Sequence, residues 1–321
     1  MNNAPNKKDI IVVTPVYEDI ESSSILFKEL ARVFKRKVFI VAVDDGSVHQ
    51  PVEILNIKNA EINGLVIKLK RNVGHQRAIA IGLNYVLNNF KNISKVIVMD
   101  SDGEDDPESI KSLLSLLESD EIDMVVAERK SRIETLSFKT FYSVYKWLFF
   151  ILSGQRISFG NFMALKPTAL KRMVAMQELW IHTAACALAS KLRMKTCSLD
   201  RGPRYAGKSK MNFVGLALHG FKGLMVFAED VLVRVGIACA VVAAFSILGV
   251  FIAITLKIIG FATPGWFSVA FGILLLVFIQ TGTLTLTILM LTGLFKGGHI
   301  ANIDYEKFID KIQNDQPRKK N

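Results

Sequence analysis

The chain has 321 residues, a length typical of about two domains, which excludes a peptide or a disulfide-stapled miniprotein. Half of the residues are hydrophobic, 21% are charged and the mean hydropathy is +0.32, so apolar and charged segments must be segregated along the chain. The net charge of +11 predicts an anionic partner or surface: nucleic acid, phospholipid headgroups or a phosphorylated substrate. Three cysteines without CxxC spacing support neither a disulfide framework nor a zinc site.

Residues 9–164 alternate short β-rich runs with longer helical segments, as α/β domains do. The predicted strands are IIVVTP, VFIVAV, LVIKLK, VIVMD and MVVAE, and two predicted helices cover residues 75–90 and 107–117. This order predicts a mostly parallel sheet with helices on both faces. In such sheets, ligands bind outside the carboxyl ends of the strands, so the residues that end each strand are the candidates for function.

The predicted strand ends are unusually acidic. The second strand ends in Asp44 and Asp45, and the fourth is followed by Asp100, Asp102 and Glu104. Alternate residues of an extended segment point the same way, so two carboxylates one residue apart can share a hard cation that bridges the phosphates of a substrate. The alternative is an ordinary turn, because aspartate is common in turns.

The segment after the third strand contains Gly74, Ala78 and Gly82 at intervals of four residues. This spacing predicts a stripe of small residues that lets a helix approach the sheet closely. Neither a GxGxxG fingerprint nor a Walker A motif occurs, which removes the main support for nicotinamide or P-loop chemistry. Four histidines without HExxH spacing are interpreted as structural: His75, His182, His219 and His299.

Two uncharged stretches, residues 235–256 and 258–295, are long enough to cross a bilayer as helices. We interpret them as a transmembrane hairpin; the alternative is a pair of buried core helices. Lys257 is the one charge between them, whereas lysine and arginine are abundant before the first stretch, so the positive-inside rule predicts that both termini are cytoplasmic. Residues 136–152 and 211–228 mix aromatics with lysine, which suits either the membrane interface or amphipathic core helices.

Taken together, the motifs resemble the family 2 glycosyltransferases of GT-A fold. Within them the chain is similar to polyprenyl-phosphate glycosyltransferases such as dolichyl-phosphate mannose synthase and bacterial undecaprenyl-phosphate glucosyltransferase. The resemblance covers roughly residues 9–296. It rests on PxY at Pro15 and Tyr17, DDGS at residues 44–47, NxGxxxAxxxG at residues 72–82, DxD at residues 100–102 and RYAGKSK at residues 204–210.

The resemblance implies an integral protein of the plasma membrane that transfers a sugar, with inversion, from a nucleotide diphosphate sugar to a polyprenyl phosphate, expected to be undecaprenyl phosphate. The product would be a lipid-linked sugar for cell-envelope glycans. The expected organisation is a cytosolic GT-A domain (1–211), a juxtamembrane amphipathic helix (212–230), two transmembrane helices (231–296) and a cytosolic tail (297–321). The implied partners are both substrates and membrane lipid but no nucleic acid, and a homo-oligomer is left open.

The same resemblance implies the roles of individual residues, carried over by position. Mg²⁺ or Mn²⁺ is expected at Asp100, Asp102 and Glu104, and the expected catalytic residues are Asp102, Arg204 and Lys210. The substrate-binding residues implied are Pro15, Tyr17, Asp19, Asp44 and Asp45 for the nucleoside, Arg129 for the phosphates, and Lys139 and Ser143 for the acceptor phosphate.

Three positions depart from the family pattern: Asp19 stands where a glutamate is usual, Glu104 where glutamine is common, and Asn161 where aspartate is frequent. Two alternatives therefore stay open. One is a glycosyltransferase that acts on a membrane-bound sugar acceptor, although the QxxRW motif of chain-extending synthases is missing. The other is a catalytically degenerate domain that serves as a membrane scaffold.

Overall fold

A computed structural model of the chain describes residues 10–129, 136–206, 213–261, 263, 265–297 and 303–314. The chain divides into two compact units, and each is described by itself. Unit 1 comprises Met1–Ser143, Ile157–Val226 and Ala301–Asn321, whereas unit 2 comprises Val144–Arg156 and Phe227–Ile300.

The centre of unit 1 is one eight-stranded sheet. Its strands are β1 (Ile10–Val16), β2 (Val38–Asp44), β3 (Asn63–Leu69), β4 (Lys95–Val98), β5 (Met124–Arg129), β6 (Phe159–Leu165), β7 (Met194–Leu199) and β8 (Ile309–Asn314). They are ordered β7-β5-β6-β4-β1-β2-β3-β8. Strands β1 to β4 are mutually parallel, as are β5 and β7, while β6 and β8 run antiparallel to their neighbours.

The helices of the chain are α1 (Ile20–Phe34), α2 (Ile54–Lys58), α3 (His75–Asn89), α4 (Ser109–Leu117), α5 (Leu136–Ser153), α6 (Pro167–Val174), α7 (Thr183–Ala189), α8 (Phe213–Met225), α9 (Ala228–Ile258) and α10 (Trp266–Gly297). The helix predicted at residues 75–90 begins at His75 as expected, and the one predicted from Pro107 begins at Ser109. Helix α8 is shorter than the predicted juxtamembrane helix of residues 212–230.

Each face of the sheet carries its own hydrophobic core. Ile79 and Leu83 of α3 pack on one face of the sheet, while Leu26 of α1 and Leu113 of α4 pack on the other. All four side chains are fully buried. Helices therefore cover both faces, and the expected GT-A-type α/β fold is confirmed.

Helix α3 lies close to the sheet because of Gly82. A Cβ atom added there would lie 2.6 Å from Cγ1 of Val13 and 3.0 Å from Cγ2 of Val43. Ala78, one turn earlier, is fully buried, as the predicted small-residue stripe requires. Gly74 differs: no atom lies within 4 Å of an added Cβ, and its φ of +93° shows that the backbone before α3 needs glycine for its conformation.

Part of the segment predicted as a cytosolic tail (297–321) forms a strand that completes the sheet of unit 1. Strand β8 pairs antiparallel with β3, with Leu65 opposite Asn314 and Ile67 opposite Ile312. Just before β8, Tyr305 is buried with 7% exposure in the same core as α3. The sequence IDKIQN is short, and four of its six residues are charged or carry a side-chain amide, as is common in edge strands. Its hydrophobic pattern therefore did not reveal the strand.

Among the residues that the structure describes, two helices are long and apolar enough to cross a membrane, and both of them, α9 and α10, belong to unit 2. Gly236 lies beside Ile288, and Gly249 beside Leu274, with an added Cβ at 3.6 and 3.2 Å from these side chains. Most of their large apolar side chains are exposed. This is the pattern expected where lipid covers a helix pair, whereas two core helices of a soluble domain would be buried.

Exposed apolar residues also occupy the two stretches that mix aromatics with lysine. In the described part of α5, Trp147 and Phe150 are exposed, and in α8 the exposed side chains include Leu218, Phe221 and Met225. Their placement at the membrane interface stays a prediction.

Candidate active site

Parallel strands bring the acidic segments to one edge of the sheet. Strands β4, β1 and β2 are adjacent, so the loops that follow them emerge side by side at their carboxyl ends. These loops carry the residues that the sequence singled out: Tyr17 and Asp19 after β1, Asp45 after β2, and Asp100 and Asp102 after β4. The predicted clustering follows directly from the topology.

Asp44 and Asp45 are buried and hold the loops in place. The carboxylate of Asp44 accepts hydrogen bonds from the backbone N–H groups of Ser47 and Val52, both at 2.8 Å. Asp45 accepts from Val73 and Gly74, at 2.7 and 3.0 Å, and so fixes the start of α3 against β2. Burial raises the pKa of Asp45. Their predicted nucleoside contacts stay a prediction, as does that of Pro15, which lies in β1 opposite Val43.

Sequence reasoning missed Glu18, which ties the first loop to the second. Its carboxylate accepts hydrogen bonds from the backbone N–H groups of Val48, His49 and Gln50, at 2.6, 3.0 and 2.7 Å. These bonds, above all the one from Val48, lower the pKa of Glu18. Its φ of +47° turns the chain there, a feature that no local pattern indicates.

Asp19 has a local role in the structure. Its carboxylate accepts a hydrogen bond from the backbone N–H of Ser22 at 3.3 Å and caps the N-terminus of α1. Tyr17, two residues earlier, is 44% exposed at the edge of the sheet. The part that either residue takes in nucleoside binding stays a prediction.

The acidic loop after β4 is paired with two arginines from the segment after β7. Arg204 donates from Nη2 to Asp102 Oδ2 at 2.8 Å and from Nε to Glu104 Oε1 at 2.9 Å. Arg201 contacts the second oxygen of Glu104. The sequence pointed to Arg204 but not to Arg201, although both belong to the same basic segment.

The backbones of these two loops are also joined. Gly202 N–H donates to the carbonyl of Glu104 at 3.0 Å, and Tyr205 N–H donates to the carbonyl of Asp102 at 2.9 Å. Gly103 permits this contact, since an added Cβ would lie 2.6 Å from the ring of Tyr205. The acidic and basic loops are therefore joined, and a cation site on the first would be next to a phosphate site on the second.

His75 lies in the site, which differs from its interpretation as a structural residue. Its Nε2 is 2.9 Å from Oδ1 of Asp100. The next residue, Gln76, donates from Nε2 to Oδ1 of Asn161 at 3.2 Å. The N-terminus of α3 thus contacts both the acidic loop and β6. The signal in the sequence was the position of these residues directly after a strand-end loop.

A small cavity of about 30 Å³ lies beside the acidic loop. Its lining residues include Asp100, Glu104, Asn161, Arg201, Glu128 and Asp200. Asn161 therefore faces the same space as Asp100 and Glu104, and its amide oxygen accepts a hydrogen bond from Gln76. No carboxylate occupies that position.

The donor set of the acidic loop has the chemistry that a hard divalent cation requires, because carboxylate oxygens are the ligands preferred by Mg²⁺ and Mn²⁺. In the part of the chain that the structure describes, however, no three His, Cys, Asp or Glu side chains are arranged to hold a metal ion. Asp102 and Glu104 are paired with arginines instead. Their assignment as metal ligands stays a prediction.

Several predicted site residues fall elsewhere. Ser143 is exposed on α5. Lys210 and the side chains of Arg129 and Lys139 lie outside the described residues. Their predicted roles, at the phosphates for Lys210 and Arg129 and at the acceptor for Lys139 and Ser143, stay predictions.

The sheet and its flanking helices together form an α/β domain of GT-A type, with the acidic loop at the carboxyl ends of its strands. Residues 11–189, more than half of the chain, match the family described as glycosyl transferase family 2. The chain belongs to that family, which confirms the family-level resemblance and the prediction of an enzyme that transfers glycosyl groups.

Two relatives and one solved structure are similar to between 42% and 80% of the chain. The uncharacterized glycosyltransferase YkcC of Bacillus subtilis is 25% identical over 269 residues, which are 80% of each protein. The dodecaprenyl-phosphate galacturonate synthase of Rhizobium johnstonii is 27% identical over 142 residues, 42% of this chain and 40% of that protein. Glucosyl-3-phosphoglycerate synthase from Mycobacterium tuberculosis, crystallised with Mn²⁺, UDP and phosphoglyceric acid, has 15% identity and a TM-score of 0.49, covering 71% of this chain and 78% of its own.

Proposed function

We propose that this protein transfers a sugar, with inversion, from a nucleotide diphosphate sugar to a polyprenyl phosphate at the cytoplasmic face of the plasma membrane. The observation that carries the proposal is a family 2 glycosyltransferase domain in the same chain as two long apolar helices with exposed side chains. A membrane-bound acceptor would explain why the glycosyltransferase domain is linked to apolar helices. The galacturonate synthase, whose name specifies dodecaprenyl phosphate, supports a lipid phosphate as the acceptor.

The donor diphosphate is proposed to bind where the acidic and basic loops meet. Arg201 and Arg204 are already at the acidic loop, and guanidinium groups bind phosphate oxygens through paired, charge-assisted hydrogen bonds. Lys210 follows in the same segment and would add a third positive charge. These three residues would orient the diphosphate and stabilise the negative charge that develops as the sugar leaves.

Asp100, Asp102 and Glu104 are proposed to hold Mg²⁺ or Mn²⁺ together with the donor. When bound, the divalent cation would neutralise charge on the departing nucleotide diphosphate. The chain's own part is to keep the loop in place, which it does through Gly202 and Tyr205.

The acceptor needs no general base. A phosphate monoester has a second pKa of about 6, so at neutral pH it is largely dianionic and nucleophilic. A sugar hydroxyl, by contrast, loses a proton during attack and calls for a carboxylate or histidine within reach. The amide of Asn161 beside the acidic loop fits the first case. Lys139 and Ser143, by the resemblance, would bind the lipid phosphate.

The order of the strands in the sheet supports a placement of both ends of the helix hairpin on the same side of the membrane. Strands β1 to β7 precede the two apolar helices and β8 follows them, yet all lie in one sheet. If the helices span a bilayer, the chain must cross it an even number of times. The abundance of lysine and arginine before α9 favours the cytoplasm, where nucleotide sugars are found, as that side.

The test is to incubate the purified full chain with undecaprenyl phosphate, Mg²⁺ or Mn²⁺ and a panel of nucleotide sugars, and to search for lipid-linked sugar by mass spectrometry. Formation of a lipid-phosphate-linked sugar is expected with at least one donor. Product on a membrane glycan but not on the lipid phosphate would support the sugar-acceptor alternative, and no product from any donor would support the scaffold.

The variant D102N sharpens this test. It removes the charge that pairs with Arg204 and that a cation would require, so turnover should fall at least a hundredfold, about 3 kcal/mol of transition-state stabilisation. D120N, an exposed change in a loop distant in sequence, is the matched control and should keep full activity. Normal turnover by D102N in the presence of a chelator would contradict the metal-dependent mechanism.

A further inference from the structure

Two histidines outside the acidic loop face each other in unit 1. Nε2 of His182 lies 3.0 Å from Nε2 of His219, although the residues are 37 positions apart in sequence. His182 is 4% exposed and directly precedes α7, whereas His219 is in the middle of α8. The ring centres are 4.4 Å apart.

The hydrogen bonds of His182 define the tautomers of the pair. Nδ1 of His182 accepts a hydrogen bond from the backbone N–H of Ala185 at 3.2 Å and so caps α7. Nδ1 therefore carries no proton, and the proton of the neutral ring is on Nε2, which donates to Nε2 of His219. His219 must then carry its own proton on Nδ1.

Both rings are neutral at physiological pH. Burial lowers the pKa of His182 to about 3 and that of His219 to about 4. Electrostatic interactions with His75 and Lys222 lower the pKa of both rings further. The contact is therefore a hydrogen bond between neutral rings. Because a hydrogen bond is directional, it constrains the orientation of the two rings, which a contact between two apolar side chains would not do.

A chain of hydrogen bonds connects this pair to the acidic loop. Oε1 of Gln76 accepts from the backbone N–H of Thr183 at 2.6 Å, which fixes the residue next to His182. His75, adjacent to Gln76, contacts Asp100 at 2.9 Å. The first two residues of α3 thus hold both the acidic loop and the start of α7, and His182 extends this arrangement to α8.

Helix α8 lies, in sequence, between two segments that the proposed function uses. The segment before it contains Arg201, Arg204 and Lys210, and three residues after its last residue the apolar helix α9 begins. Leu218, Phe221 and Met225 are exposed on α8 itself. In sequence, α8 therefore lies between the proposed phosphate-binding segment and the first apolar helix.

We propose that the His182–His219 pair is a positioning element: it fixes the orientation of α8 relative to the acidic loop and thereby sets where the lipid phosphate meets the donor. Neither histidine is assigned contact with a substrate. The inference rests on the proposed function for its lipid acceptor, but the placement of α8 is independent of it.

Two substitutions at His182 separate the two hydrogen bonds of its ring. In H182N the amide oxygen replaces Nδ1 and keeps the cap of α7, but nothing reaches His219. In H182Q the longer side chain places an N–H group where Nε2 was, which keeps the bond to His219 and loses the cap. H219F removes the bond from the other side and keeps an aromatic ring.

With the full chain in detergent or nanodiscs, H182N and H219F should raise KM for undecaprenyl phosphate about five- to tenfold, the fold-change that corresponds to one lost buried hydrogen bond. KM for the sugar nucleotide should stay within twofold of wild type, and H182Q should keep a near wild-type KM for the lipid. Equal effects of H182N and H182Q, or a lower melting temperature with both KM values unchanged, would overturn the proposal.

Hydrogen exchange separates this inference from the proposed function. Amides of residues 213–225 should exchange faster in H182N and H219F but not in H182Q, whether or not the wild type makes lipid-linked sugar. An inactive wild type with this exchange pattern would refute the lipid acceptor and leave the positioning of α8 supported. Unchanged exchange in H182N, or a stoichiometric zinc ion bound to His182 and His219 in the purified protein, would overturn the positioning role.

Discussion

Tyr305 offers the sharpest test of the docking of the C-terminal segment onto the sheet. Its ring is 7% exposed and belongs to the core beneath α3. Its hydroxyl oxygen accepts a hydrogen bond from Nδ2 of Asn89 at 3.3 Å. Next to it, the backbone N–H of Lys70 donates to the carbonyl of Phe308 at 3.0 Å, so the ring precedes a segment that is bonded to β3.

The variant Y305A should therefore be markedly less stable than the wild type. Truncation of a buried aromatic side chain costs about 3–5 kcal/mol of stability. The loss of stability cannot exceed the free energy with which residues 303–314 dock onto the sheet, because this segment can detach locally. At roughly 2–4 °C per kcal/mol for a domain of this size, the melting temperature should fall by roughly 10 °C. Y305F loses the hydroxyl contacts alone and should melt within about 3 °C of wild type.

Differential scanning fluorimetry of the full chain in detergent measures the melting temperature. Limited proteolysis, read by mass spectrometry, measures detachment of residues 303–314 directly. If Y305A kept both the wild-type melting temperature and wild-type protection of this segment, the docking of the C-terminus onto β3 would be refuted, and with it the argument for an even number of crossings.

Two further predictions address the sheet. G82A should lower the free energy of unfolding by about 1–3 kcal/mol, because its Cβ would lie 2.6 Å from Cγ1 of Val13. G160A is the control and should be neutral, because no atom lies within 4 Å of an added Cβ there. Urea unfolding compares the two variants, and equal unfolding midpoints would contradict the close approach of α3 to the sheet. The Arg193 guanidinium lowers the pKa of Asp123 to about 2, so this carboxylate stabilises the fold above its ordinary pKa and loses that contribution as pH falls from about 4 towards 2. D123N should therefore be less stable than wild type at pH 7, with a difference that shrinks below pH 4; a difference independent of pH would refute the ion pair.

Sequence patterns predicted the features that depend on local order. Five of the eight strands, the start of α3 at His75 and both long apolar helices follow from hydrophobic periodicity and composition. The acidic loops were expected to meet because parallel strands share one edge, and the structure places them on the adjacent strands β4, β1 and β2.

The features that were missed all depend on contacts between residues far apart in the chain. Glu18 binds three backbone N–H groups about thirty residues away, and its role depends on a backbone turn that no local pattern indicates. Arg201 acquires its partner from a loop almost a hundred residues earlier. His182 and His219 do not belong to a motif of fixed spacing, because tertiary packing alone brings them together.

Two of the contacts in unit 1 that the sequence did not predict flank the apolar helices in sequence. His219, on α8, precedes α9 and contacts His182, and β8 follows α10 and pairs with β3, so unit 1 includes segments on both sides of the hairpin in sequence. A single attachment would leave a flexible tether, whose ends could separate widely at little entropic cost. Because β8 returns to the sheet of unit 1 after α10, the hairpin lies within a closed loop of chain, and a closed loop has fewer accessible conformations than a single tether. With the lipid acceptor proposed above, this loss of conformational freedom would supply part of the proximity that an encounter in solution lacks.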